Sequence, residues 1–456
     1  MTDNNIPRIL IQPLKPALIT GVAQKLPVLI RVQAPDAPET GKGDVRKPYH
    51  LSLVIDRSGS MSGAPLLEAV RCAKHIAERL EPTDVASLVV FDDRVKTLVP
   101  ARPVGDRQAF LMALSHVRSG GSTKLHGGWQ TGSETLLPGA SEAALARVIL
   151  LSDGNANVGE ITETEGIAAL CAQAAERGVT TSTYGLGEDF NEDLMVEMAK
   201  RGSGNHYYGD TAADLFEPFA EEFDFISSLC ARHVRLSLAA AADIKLRLLN
   251  DYPVADDSGV PVIKLPDIAF GAEAWALVEL EIPAHLTGEG IEQLLQAGVT
   301  AVTPEGEPLA FADTLLSLPA MSVAAWEALL NDPLVQSRQA ELAAGKMLQQ
   351  ARAAAEQGEW GVVERLLAEA RQRFADQPWV IEVLESMSAL AQSMDTARFR
   401  KEALYSSRRM NSRLSAKEEQ LAMSASEELE KVSFLRRKKA QGKSQFGTPG
   451  EGEPRP

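Results

Sequence analysis

Asp56, Ser58 and Ser60 stand at alternate positions in LSLVIDRSGSM (51–61), where a mostly apolar run meets a loop of small residues. One carboxylate and two hydroxyls are oxygen ligands for a hard divalent cation. The loop offers none of the soft atoms that copper or zinc prefer. Two later segments carry matching groups. GGSTKLHGG (120–128) presents Thr123 from a loop entering a helix, and LLSDGNANVG (150–159) places Asp153 just past another apolar strand. Oxygens from Asp56, Ser58, Ser60, Thr123 and Asp153 would form a shallow six-coordinate site completed by water and an outside ligand. Its bond lengths would be about 2.0–2.1 Å for Mg2+. Oxygen ligands accept Mn2+ or Ca2+ as well.

These residues need a scaffold that brings three loops together. From Tyr49 to about Ala231 apolar runs alternate with helical stretches. HLSLVI, VASLVVF, RVILLS and VTTSTYGLG read as strands buried on both faces. PLLEAVRCAKHIAERL, DRQAFLMALSHV, TEGIAALCAQAAERG and NEDLMVEMAKRG read as helices. That alternation predicts an α/β domain with a doubly wound, mainly parallel sheet, and such sheets bind ligands at the carboxyl ends of their strands.

The flanks differ. Residues 6–48 hold short strands broken by prolines, VLIRVQA being the clearest, and a Pro/Gly-rich connector. Residues 232–310 hold HVRLSLAA, IKLRLLN and AWALVELEIPA with no helix between. The two segments are expected to share one β-sandwich, with the α/β domain of 49–231 inserted in it. Residues 321–400 read as a helical hairpin turning at Gly358, then one helix over 378–400. Residues 401–456 read as a basic helical segment and a disordered tail. From Arg398 to Lys443 there are 13 Lys/Arg against 6 Glu, a solvated face or a docking segment for an acidic partner or RNA.

The chain has 456 residues and a net charge of −16, which argues against nucleic acid as the main partner apart from that basic segment. Cys72, Cys171 and Cys230 lie far apart in segments that read as helices and lack CxxC spacing, which predicts reduced packing residues. No run of eighteen apolar residues and no secretory pattern occurs, so a cytoplasmic protein off the membrane is expected. DGNANVGE is no EF-hand loop, since Val158 stands where glycine and Thr164 where glutamate are required. No GxxxxGK[ST] loop and no GxSxG elbow occurs, and no enzyme is predicted. The five tryptophans read as core.

The motifs Asp56-Arg57-Ser58-Gly59-Ser60, Thr123 in GGSTKL and Asp153-Gly154 together resemble the metal-ion-dependent adhesion site of von Willebrand factor type A domains. The flanking ARHVRLSL and GAEAWALVEL are similar to bacterial proteins related to the inter-alpha-trypsin inhibitor heavy chains. The resemblance implies a non-enzymatic interaction protein whose metal takes an Asp or Glu from a partner. It also implies a MoxR-type AAA+ ATPase or a signalling system beside it. Ser122, Lys124, His126 and Asn155 stand next to the ligands as the expected partner-binding rim. Self-assembly through the same site and a surface adhesin are the alternatives.

Overall fold

The computed structural model describes residues 6–36, 48–140, 145–153, 156, 158–186, 191–209, 228–257, 260–288, 290–412 and 415–416. They divide into two compact units, one within Thr40–Leu229 plus Val302–Glu307, the other within Met1–Glu39, Cys230–Ala301 and Pro308–Pro456.

The second of these begins with β1 (Arg8–Pro13), β2 (Leu18–Ile19) and β3 (Gln24–Gln33). The chain then enters the α/β unit. Its strands are β4 (Tyr49–Asp56), β5 (Val85–Phe91), β6 (Val95–Pro103), β7 (Leu145–Ser152), β8 (Val179–Leu186) and β9 (His206–Gly209). Its helices are α1 (Ala64–Arg79), α2 (Gln108–Ser115), α3 (Leu125–Leu136), α4 (Thr164–Glu176) and α5 (Glu192–Arg201). The sheet order is β6-β5-β4-β7-β8-β9. Every pair is parallel except the edge pair β5/β6. Every residue of β4 and β7 is buried, as a strand covered by helices on both faces requires. Strand order reverses on either side of β4, so its carboxyl end opens a crevice flanked by the ends of β5 and β7.

Helix α3 lies close on this sheet. A Cβ added to Gly128 would come within 2.4 Å of Phe91 Cδ1, and one on Gly132 within 2.4 Å of Val54 Cγ2. The two glycines, one turn apart, make a flat helix face that β4 and β5 approach directly. Trp129 on α3 is buried and its Nε1 donates to Thr181 Oγ1 at 3.0 Å.

The chain returns to the first-entered unit through β10 (Leu229–Ala240), β11 (Lys245–Leu248), β12 (Val254–Asp257), β13 (Val260–Lys264), β14 (Ile268–Ala269), β15 (Ala272–Ile282), β16 (Gly290–Val302), β17 (Pro308–Ala310) and β18 (Thr314–Met321). One sheet runs β1-β3-β15-β11 and the other β12-β13-β10-β16-β18-β2. N-terminal β3 is thus central, pairing β15 from Gln33↔Glu273 to Gln24↔Ile282. Arg31 and Glu273 form a buried ion pair at 2.8 Å, and Gln33 Nε2 donates to the same carboxylate. The β region continues to Met321, past the expected limit of 310. Leu316 and Leu318, at alternate positions of β18, supply the buried face that makes it a strand.

The helices are α6 (Val323–Glu327), α7 (Pro333–Glu356), α8 (Trp360–Arg373), α9 (Pro378–Gln392) and α10 (Thr396–Ser412). Leu334, Val335 and Leu342 of α7 pack on Leu29, Trp275 and Leu277 of the first sheet. Gly358, with φ 73°, turns α7 into α8. The single helix expected over 378–400 is two. Met394 takes φ 51°, and the Asp395 carboxylate accepts from Arg398 N at 3.0 Å to start α10. Because α10 packs along α7, residues 401–412 belong to the bundle, and β19 (Ser415–Ala416) pairs with β15. The tail from 417 lies outside the described residues.

All three cysteines are buried and none is in a disulfide. Cys230 lies on β10 and not on a helix, because its segment follows the alternation of a sheet strand. Trp129 and Trp275 are core, whereas Trp326, Trp360 and Trp379 are half-buried. Lys15 Nζ stands 3.9 Å from the Trp326 ring centre. No described helix is long and apolar enough to cross a membrane.

Candidate functional site

Asp56 is the last residue of β4, and Asp153 follows the last residue of β7. The β4/β7 register pairs Ile55 with Leu151, so the two acids emerge at the same sheet edge. Ser58 N donates to Asp56 Oδ1 at 2.8 Å, which bends the chain directly after the strand. Ser60 lies in a short 3-10 turn, Gly59–Met61, and its Oγ is 3.1 Å from Ser58 Oγ. Two backbone bonds couple this turn to the loop before α3: Gly59 N to Gly121 O at 2.8 Å and Gly120 N to Arg57 O at 2.6 Å. Thr123 is buried in that loop, and its carbonyl accepts from Val158 N at 3.2 Å. All three ligand segments therefore converge on one edge.

Charge balance at this edge is unusual. Asp56 is fully buried and Asp153 is 5% exposed. The Asp56 carboxyl is raised to about 6: burial is the largest cause and the Asp153 charge adds to it, while bonds from Ser152 and Ser58 partly offset them. Among the described residues no ion pair reaches Asp56. The adjacent Arg57 turns away, its Nη2 lying 2.8 Å from Asp92 Oδ2. Two buried acids beside neutral hydroxyls make an oxygen-rich donor set of the kind a hard cation takes. The residues fit a hard divalent ion. Among the described residues no three His, Cys, Asp or Glu side chains gather as a metal group. Here the carboxylates are two, and hydroxyls provide the remaining oxygens.

The expected rim divides. Ser122 is exposed and Lys124 half-buried. His126 is 5% exposed, and burial lowers its pKa. It is corrected from rim to interior, because at the second position of α3 it faces inward and offers no ring to a partner. Asn155 and Gly154 lie outside the described residues. Sequence reasoning missed Ser152, whose hydroxyl donates to Asp56 Oδ2 at 2.6 Å, and also Asp92. The run LLSD contained the signal for Ser152, but only strand register shows which acid it meets.

The sequence profile of the von Willebrand factor type A domain matches residues 50–221. Uncharacterized protein sll0103 of Synechocystis is 25% identical over 321 residues, covering 67% of this chain and 75% of that protein. The human inter-alpha-trypsin inhibitor heavy chain H3 is 29% identical over 187 residues, or 38% of this chain and 21% of its own. The chain spans only about a fifth of that relative's length. Among solved structures, the ArnB paralog VWA2 from Sulfolobus acidocaldarius shares the fold over 88% of this chain and 98% of its own. Its TM-score is 0.58 at 18% identity.

Proposed function

Because residues 50–221 form a von Willebrand factor type A domain, we propose that this chain is a non-enzymatic, divalent-metal-dependent interaction protein. Domains of this family generally mediate protein–protein interaction, often with a metal. Asp56, Ser58, Ser60, Thr123 and Asp153 are the ligands in this reading, with Mg2+ the ion and Mn2+ or Ca2+ as alternatives. The ion supplies positive charge and one open position for an outside oxygen. Asp56 and Asp153 hold the negative charge that retains it, and the hydroxyls orient without adding charge. Ser122 and Lys124 stand beside the opening, where a partner Asp or Glu would enter. A MoxR-type AAA+ ATPase is the partner class in this proposal.

One observation carries the reading. Asp56 is wholly buried with its pKa lifted to about 6, beside a second acid, and the guanidinium of the adjacent Arg57 is paired with Asp92. A buried carboxylate left so is costly unless a cation joins it.

The test is capture of a partner from native lysate by the full chain and by Asp56→Ala/Thr123→Ala, each with MgCl2 and with EDTA. A partner held only by the unaltered chain with Mg2+ supports the proposal, and its interface should present an Asp or Glu. Equal capture under all four conditions, with both proteins folded, overturns it.

A further inference from the structure

The geometry points to Asp92 as the positioning residue of this metal site: it holds the Arg57 guanidinium away from Asp56 and Asp153 and ties two ligand loops together. This inference rests on the metal reading above.

Asp92 directly follows β5 and is 4% exposed. Its Oδ2 takes Arg57 Nη2 at 2.8 Å, and its Oδ1 accepts from Arg94 N at 2.9 Å. Its carbonyl accepts from Lys124 N at 2.8 Å, one residue past Thr123. Gly120 lies so close that an added Cβ would be 1.8 Å from Asp92 Oδ2. One residue thus touches the loop carrying Asp56, Ser58 and Ser60 and the loop carrying Thr123.

Arg57 is the residue next to Asp56, and its side chain is long enough to reach over a neighbouring loop. Its Nε is buried and meets no acceptor, so the guanidinium has a donor to spare. Released from Asp92, it would become an internal cation for the buried Asp56 carboxylate and would compete with the divalent ion. Asp92 therefore does two things. It braces the loops, and it reserves the negative charge of Asp56 for the metal.

The two roles separate by a double variant. Asp92→Asn keeps an oxygen for Arg94 N but loses the charge that fixes Arg57. Mn2+ affinity is read from the free-ion signal in electron paramagnetic resonance for the unaltered chain, Asp92→Asn, Arg57→Gln and Arg57→Gln/Asp92→Asn. Thermal melts of the metal-free proteins check folding. We expect Asp92→Asn to weaken Mn2+ binding by about tenfold or more. Arg57→Gln should bind as well as the unaltered chain or better, and the double variant should recover most of the loss. An Asp92→Asn protein that binds as the unaltered chain does overturns the inference alone. A double variant as weak as Asp92→Asn overturns the charge-holding role. An unaltered chain that binds no Mn2+ overturns the metal reading itself.

Discussion

The Ser152 hydroxyl donates to Asp56 Oδ2 at 2.6 Å, a bond between the final residues of two neighbouring parallel strands. With Ser58 N on Oδ1, both carboxylate oxygens of Asp56 accept hydrogen bonds and keep lone-pair capacity for something else. The pair holds the carboxylate in one orientation before any ion arrives. Burial nonetheless outweighs both bonds, and the carboxyl stays well above its usual range.

That imbalance sets a pH dependence. The folded pKa of Asp56, about 6, exceeds its ordinary 3.8. The folded protein therefore binds this proton more tightly than the unfolded chain. Stability from this group is complete at about pH 4, falls as pH rises to about 6, and is absent above, a loss of roughly 3 kcal/mol. In the proposed metal-binding reading a divalent ion would take the place of the proton at neutral pH and not in acid. Melting temperature should rise with MgCl2 at about pH 7.5 and change little at about pH 5. Asp56→Asn should raise the EDTA-treated melting temperature at the higher pH and abolish the Mg2+ gain. Equal Mg2+ gains at both pH values would remove Asp56 from the ligand set.

Gly128→Ala tests how α3 positions Thr123. In an exposed helix this change would stabilise by about 0.8–1 kcal/mol. Here the new Cβ would meet Phe91 Cδ1 at 2.4 Å, so the expected result is a loss of roughly 1–3 kcal/mol in urea unfolding. Mg2+ affinity should fall with it, because Thr123 lies just before this helix. A stabilised variant would show that α3 has room against the sheet.

Glu273→Gln probes the unit made from the two ends of the chain. Arg31 would remain buried against β15 without its anionic partner, a defect of roughly 3–5 kcal/mol. Unfolding followed by Trp275 fluorescence should report this loss, while the Mg2+ affinity of the α/β unit stays unchanged. Unaltered unfolding would mean that Gln12 and Gln33 satisfy the guanidinium alone.

The sequence by itself determined the chemistry and the periods. Asp-x-Ser-x-Ser after a buried apolar run, a threonine before a glycine-rich helix, and an acid after another buried run mark the candidate oxygens. Strictly alternating apolar strands and amphipathic helices specify an α/β unit between β-rich flanks. These features are local, so residue order encodes them. Tertiary structure alone decided which partner each side chain meets. The same short-range reading put Cys230 on a helix, His126 on the rim and one helix over 378–400, errors of element type, of facing and of backbone bend respectively. Nothing near Arg31 announces Glu273, 242 residues away, and nothing near Arg57 announces Asp92 at the end of the neighbouring strand. Periodicity reports that a face is buried; what buries it depends on strand order and register, which are set by packing over the whole unit.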